Sequence, residues 1–439
     1  VNAISRFFKL QEHGTTVSRE ILAGITTFMT MAYILIVNPQ MLSAAIGKEA
    51  IPSLLTATAL SAGLATILMG LYANKPFALA AGMGLNAYFA FTVAPQYGWQ
   101  VALAAVFVEG LIFILLSITS VRSAVAHAIP FSLKHAIGAG IGIFLTFIGL
   151  QHMGFVAADP ATMVSLGKGA LANPEFLIAV FGLLLAGILI TLRVPGALLI
   201  TIIVNTIIGM IFGLIDIPKH IFSMPTLAHT WLKLDFKGLL NAGALGVIFS
   251  FFMVDFFDTL GTVTGLSAKA GYLTEDGKIP DIDKVLLTDA IGTTVGALLG
   301  TSTVTTYIES ASGIEEGGRT GLTAVTTGIL FLLVGLFISP LVLVIKDFVT
   351  APVLVIVGYF MMSTFFEVDF SDPSEAIPAF LVLVTIPLTY SIADGIGVGF
   401  ITYTLIKLFS GQYKDIHPLM YVLAIIFVAY FMYLGGVIG

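Results

Sequence analysis

GTSTVTTYIESASG (300–313) decides how this chain is read. It is a short Gly/Ser/Thr-rich piece between two long apolar stretches, and it contains Glu309. Upstream, VIFSFFMVDFFDTLGTVTGL (247–266) reads as a membrane helix, yet it carries Asp255 and Asp258. Ionisable groups at membrane depth cost roughly 2.5–3.5 kcal/mol on insertion scales, so they mark functional positions by default. A short, broken apolar segment beside them is the usual sign of a transporter binding site.

Composition sets the class around that segment. The 439 residues are 58% hydrophobic and 10% charged, against about 25% charged in a soluble domain. The fold class is therefore all-α polytopic membrane protein. The alternating segments of about ten residues that a β-barrel needs are absent. With no cysteine there are no disulfides, thiol chemistry or zinc–thiolate sites. The net charge of −6 comes without a basic cluster, which excludes nucleic acid as a partner. No Gly-rich phosphate loop suggests ATP drive. His13, His127, His135, His152, His220, His229 and His417 form no metal or hydrolase spacing. No cofactor, metal or enzyme activity is expected. Residues 1–19 are polar and amphipathic, lack an h-region and a cleavage site, and read as a cytoplasmic N-terminal segment rather than a signal peptide. Because the sequence opens on Val, an initiator Met and a short tail are expected before it.

Apolar runs place spans near 20–38, 52–73, 77–93, 101–119, 134–150, 175–192 and 196–215. A second set falls near 243–266, 285–300, 302–313, 321–345, 351–366, 376–392 and 394–409, with a last run at 418–436. With the N-terminus inside, every Arg and most Lys fall on the cytoplasmic side. Lys48, Lys168, Lys219, Lys233, Lys237 and Lys346 fall outside, which is the positive-inside bias. Trp99 and Trp231 fall in external loops near helix ends. The two sets repeat one pattern: each puts its short polar-small segment third, ALAAGMGLNAYFAF (78–91) and GTSTVTTYIESASG (300–313). An odd number of spans per copy inverts the second. Inverted repeats with two broken helices predict a site at their interface near the bilayer midplane. The run 418–436 has no counterpart, and 120–133 reads as a surface helix.

Asp255 and Asp258, spaced i,i+3, project from one helical face. No Lys or Arg in that span neutralises them, and a desolvated carboxylate favours its protonated form, which suits proton coupling. Glu309 follows TSTVTTY, including Thr306, where a helix break exposes unpaired backbone groups that are tolerated only along a cavity or against a ligand. Asn86, in GMGLNAY (82–88), has an amide that both donates and accepts, and Gly82 and Gly84 let the backbone approach a ligand closely. Such donors and acceptors match a flat heterocycle with N–H groups and ring acceptors. Asp289, in LLTDAIGTTVGALLG (286–300), is a candidate brace for the broken helices. Glu109, in VALAAVFVEGLIFILL (101–116), reads as packing or folding rather than substrate contact.

GTSTVTTYIESASG with GGRTGLTAV (317–325), VDFFDTLGT (254–262), AAGMGLNAYFAF (80–91) and HGTTVSREILAGITTFMTMAYILIVNP (13–39) resemble the AzgA-like purine permeases. Those belong to the nucleobase–cation symporter family that also holds uracil and xanthine permeases. The resemblance covers nearly the whole chain. It implies a seven-plus-seven inverted repeat in the cell membrane: core domain 20–119 and 239–345 (spans 1–4 and 8–11), gate domain 120–238 and 346–439 (spans 5–7 and 12–14). Short extended pieces in spans 3 and 10 would present backbone to the base. It makes Glu309 the span-10 acid, Asp258 the principal span-8 acid, Asp255 a second one, Asn86 the span-3 polar residue, and Met83 and Ile308 positions of backbone contact. Gly84 and Thr306 complete the expected substrate set; Asp255, Asp258, Glu309 and Asp289 form the coupling set. The expected partners are a purine nucleobase, a proton and the bilayer, with a homodimer left open. The implied activity is proton-coupled import of hypoxanthine or guanine by elevator-like alternating access. Alternatives are adenine as substrate, Na⁺ held by Ser/Thr and carbonyl oxygens as coupling ion, and an anion transporter of the related sulfate permease architecture. The last would want a cation or bare helix N-termini at the centre.

Overall fold

The computed structural model describes residues 2–119, 129–167, 170–241, 245–274, 279–362, 365–366 and 368–434. Among these, 7 helices are long and apolar enough to cross a membrane: Val17–Ile46, Lys48–Ala73, Trp99–Ser117, Phe131–His152, Pro174–Thr191, Gly246–Ala270 and Ile392–Phe409. Shorter apolar helices cover Ala197–Ile211, Gly321–Gly335, Asp347–Met362, Pro373–Thr389 and Pro418–Met432. The expected single span 321–345 is instead split. Its helix stops at Gly335, and Pro340 opens a new short helix, Ser339–Leu343, where its missing N–H costs nothing. The first span is kinked: Leu35 and Ile36 donate to Ala32 and Tyr33, three residues back, a tighter turn than the α-helix makes.

The two short polar-small segments are strands, as a broken helix requires. Strand β1 (Leu79–Ala81) pairs antiparallel with the span-10 strand Val304–Thr306, with Leu79 opposite Thr306 and Ala81 opposite Val304. This buried ladder joins the two halves of the chain across more than two hundred residues. It satisfies backbone groups that lipid could not. An exposed hairpin, β2 (Val156–Asp159) with β3 (Met163–Leu166), fills the loop after Phe131–His152; no periodicity announced it. In chain order the span-10 strand is β4.

The inverted repeat is visible in one hydrogen-bond device used twice. In the first half, Thr66 Oγ1 donates to Leu79 O at 3.0 Å and accepts from Leu79 N at 2.9 Å. In the second half, Thr293 Oγ1 donates to Val304 O at 2.8 Å and accepts from Val304 N at 3.2 Å. A threonine on the helix preceding each strand thus clamps that strand's backbone.

Helices pack in two groups. Val17–Met31, Ile51–Leu68, Trp99–Ser117, Ile282–Leu299 and Gly321–Gly335 form one group, and the strand pair packs on Ile51–Leu68, Ile282–Leu299 and Leu245–Ala270. Phe131–His152, Asp347–Met362, Pro373–Thr389 and Ile392–Phe409 form the second group. Small residues allow the closest approaches: a Cβ on Gly328 would lie 2.7 Å from Gly63 O, and one on Gly142 would lie 2.6 Å from Gly358 O. Such small-residue seams are how membrane helices associate without a hydrophobic driving force. Pro418–Leu434 packs on Ile392–Phe409, with Phe427 against Phe400 and Phe249. The expected surface helix 120–133 lies outside the described residues up to 128; residues 131–133 open the helix Phe131–His152. Positions 435–436 of the last run also lie outside.

Candidate functional site

The kink of the first span sets one wall of the site. It turns Tyr33, 1% exposed, so that its hydroxyl donates to Glu309 Oε1 at 2.8 Å. Glu309 is the residue before the short helix Ser310–Glu315, so it stands at the break itself. Asp258, on Leu245–Ala270, is close enough for its charge to interact with that of Glu309. Both acids are half-buried, and Ile308 beside them is 48% exposed. No Lys or Arg ion pair involves either acid among the described residues.

One face of the Asp258 helix explains that exposure. The helix is buried from Val247 to Phe256, apart from the half-buried Ile248 and Phe249. Beyond Asp258, Gly261, Thr264, Gly265, Ala268 and Lys269 are exposed. They follow helical spacing and are small or polar, unlike a lipid-facing stripe of large apolar side chains. The exposed face of this helix therefore runs from its Lys269 end toward Asp258 and Glu309.

The other expected residues divide into bracing and backbone. Asp289 accepts from Thr306 Oγ1 at 2.7 Å and from Thr259 Oγ1 at 2.9 Å. Thr259 also meets Thr305 at 2.8 Å. Asp289 thus ties β4 to the Asp258 helix, and the Thr306 hydroxyl is taken up in that tie. Asn86 is fully buried. Its Oδ1 accepts from Ser302, and its Nδ2 donates to Ala81 O at 3.4 Å. It joins the two broken segments with both ends of its amide already engaged. Met83 is 5% exposed, and Gly84 packs where a Cβ would lie 2.3 Å from Ile141 Cγ2 of the second helix group. Asp255 lies one turn deeper than Asp258 and is fully buried, taking a 3.2 Å hydrogen bond from Thr293.

Two residues with clear work in this framework carried no local signal. Tyr33 lies in an otherwise apolar helix and is marked only by its place beside the kink. Glu20 is fully buried. Its carboxylate accepts from Arg319 N at 2.8 Å, Thr320 N at 3.2 Å, Thr320 Oγ1 at 2.8 Å, Thr323 N at 3.2 Å and Thr323 Oγ1 at 2.6 Å. It caps the N-terminus of Gly321–Gly335 from another helix, where backbone N–H groups and the helix dipole favour an anion. A side chain about 300 residues away along the chain cannot be read as a cap from spacing.

Residues 18–398 match Xan_ur_permease, a permease family. The chain belongs to this nucleobase permease family. The permease is 52% identical to a permease of Methanocaldococcus jannaschii whose name gives no substrate, over 99% of both chains. It is 44% identical to the guanine/hypoxanthine permease PbuG of Bacillus subtilis, over 98% of this chain and 99% of the relative. It is 41% identical to the adenine permease AdeP of Escherichia coli, over 97% and 95%. Among solved structures, the transmembrane domain of the cyanobacterial bicarbonate transporter BicA superposes with a TM-score of 0.63 at 20% identity, over 86% of the permease and 97% of that domain. That likeness speaks to the fold alone, a seven-plus-seven inverted repeat with core and gate domains. The permease is a multi-pass membrane transporter and not an enzyme.

Proposed function

We propose that the permease imports purine nucleobases, guanine and hypoxanthine first among them, by proton symport. The observation that carries this is the pairing of Asp258 and Glu309 at a broken segment beside an exposed helix face, with no Lys or Arg ion pair to either acid among the described residues. A carboxylate there accepts from N–H donors. The pairing edge of guanine offers several, and that of hypoxanthine offers its ring N–H beside a carbonyl. Adenine presents an N6 donor next to a ring acceptor and needs a donor in return. Backbone at Met83, Gly84 and Ile308 would flank the ring, with Asn86 and Thr306 fixing the two segments around it. Asp255, Asp258, Glu309 and Asp289 are the acids from which the site of the coupling proton is drawn. The core, 20–119 with 239–345, carries the base past the gate, 120–238 with 346–439, with the N-terminus cytoplasmic. The named substrates of PbuG favour the oxopurines, while the adenine permease at similar identity supports adenine as a second reading.

The test is uptake of radiolabelled hypoxanthine by cells lacking their own permeases. Excess unlabelled guanine should block it more strongly than adenine, xanthine or uracil. Uptake should rise as external pH falls, collapse with a protonophore and ignore Na⁺. Block by adenine alone would select the second reading, and Na⁺-dependent uptake would overturn proton coupling.

A further inference from the structure

Glu109, on Trp99–Ser117, is fully buried, and neither of its carboxyl oxygens accepts a hydrogen bond from the described residues. It faces Asp255, which is also fully buried and has one oxygen, Oδ1, equally unpartnered. Asp289, on Ile282–Leu299, and Asp258, on Asp255's own helix, are the other charged groups that act on the pair; no Lys, Arg or His acts on it among the described residues. Buried polar atoms without partners are rare and call for an explanation. Two carboxyls sharing a dry site cannot both ionise. One proton between them turns the approach into a hydrogen bond, gives an unpartnered oxygen its missing partner and leaves a single charge.

The hydroxyl that touches this pair also holds the base-site strand. Thr293 Oγ1 stands 3.2 Å from Asp255 Oδ2 and 2.8 Å from Val304 O, and it accepts from Val304 N at 3.2 Å. A threonine has one hydroxyl hydrogen, so it donates to Asp255 or to Val304, not fully to both. Ionised Asp255 draws that hydrogen; protonated Asp255 releases it to the strand. The matching clamp of the first half, Thr66 on Leu79, has no such third acceptor among the described residues. The second half has added a carboxyl to an otherwise repeated device.

We propose that Glu109 and Asp255 form the proton-binding site of the transport cycle, separate from the base-binding acids, and that Thr293 is the positioning residue through which β4 senses its occupancy. This rests on the symport reading above and adds Glu109 and a division of labour to it. The proton enters as H⁺ from one side, forms an O–H bond on one carboxylate of the pair, and leaves to the other side as that bond breaks after the base has moved; no other bond changes and no electrons are transferred.

The experiment uses purified protein in Na⁺-free proteoliposomes with hypoxanthine as probe. Wild-type protein should take up protons with hypoxanthine. Glu109→Gln should still bind hypoxanthine and exchange it between the two sides. It should carry no protons, lose the pH dependence of flux, and show an inside-to-outside ratio that falls to unity. Thr293→Val should keep binding but lose tight coupling, with proton flux no longer proportional to base flux. Wild-type-like accumulation and pH dependence in Glu109→Gln would overturn the assignment, as would loss of hypoxanthine binding in folded Glu109→Gln. Base flux without protons in the wild type would overturn the symport reading itself; coupled flux in both proteins overturns this inference alone. Should Glu109→Gln fail to fold, infrared spectroscopy of the Asp258→Asn/Glu309→Gln protein decides. A protonated-carboxyl band that shifts in D₂O should persist there, and its absence refutes the site.

Discussion

Glu20→Ala removes the acceptor for five donors at once in a fully buried place and leaves Thr320 Oγ1, on Leu322 N, and Asn74 Oδ1, on Gly321 N, as the side-chain caps of Gly321–Gly335. Each hydrogen bond to a charged group contributes about 1.5–3 kcal/mol, but the five share one carboxylate whose own desolvation opposes them, so they do not add. Breaking a buried charged contact by deleting one partner costs about 3–5 kcal/mol, and that range is expected here. The Arg319 guanidinium gives no relief, because it has no acceptor to offer the stranded donors, and its Nη1 itself donates to Ile314 O at 2.5 Å and Gly318 O at 2.8 Å. Glu20→Gln should fall between the two proteins: its carbonyl can still accept from Thr320 and Thr323, while its NH₂ meets another donor at Arg319 N. The assay is thermal unfolding of purified protein in detergent, with hypoxanthine exchange per folded molecule measured in parallel. The order of melting temperatures should be wild type, Glu20→Gln, Glu20→Ala, with exchange per folded molecule retained. If Glu20→Ala melts with the wild type, the carboxylate is not holding the helix end and the reasoning from its five contacts fails.

Glu309→Gln should express normally and lose base uptake, since the amide keeps the shape but not the charge; wild-type uptake rates would remove Glu309 from the site. Asp258→Asn should abolish hypoxanthine binding, whereas Asp255→Asn should bind the base and fail to accumulate it. The reverse pattern would show that the two acids have been assigned the wrong roles. Tyr33→Phe deletes the 2.8 Å donor to Glu309 and should weaken hypoxanthine affinity by about tenfold to a hundredfold, the equivalent of roughly 1.5–3 kcal/mol; unchanged affinity in equilibrium binding would show that the tyrosine does not orient the acid.

What could be read from the sequence is what has a local or periodic signature. The broken segments at 78–91 and 300–313, the acids of VDFFDT and the repeat between the halves each announce themselves by being wrong for lipid, and the strands form where the polar-small runs lie. What could not be read is set by contacts distant in sequence. Asn86 looked free to meet a base, but its Oδ1 is occupied by Ser302 from the other repeat. Glu109 looked like a packing residue because nothing in its own helix points to Asp255. Tyr33 and Glu20 meet partners about 280 and 300 positions away, and no spacing rule reaches that far. The split at Gly335–Ser339 was missed because an apolar run conceals a backbone break, although Pro340 marks the restart.

The repeat is most informative where it fails to repeat. Val304 and Leu79 are matched by their threonine clamps. Counting the same five positions onward from each reaches Glu309 in one half and Gly84 in the other. One half thus brings a carboxylate to the break, and the other brings bare backbone with no room for a side chain, Ile141 lying where its Cβ would be. Asp258 and Asp289 beside it also belong to the second half, while the first half's one acid here, Glu109, lies deeper against Asp255. Acids at the break in both copies would face one another across the strand pair, each raising the cost of ionising the other. Acids in one copy leave a site with charge on one wall and close backbone on the other. A planar base can be held by its edge in such a site while its faces stay tight, and the inverted scaffold remains free to expose the site to either side in turn.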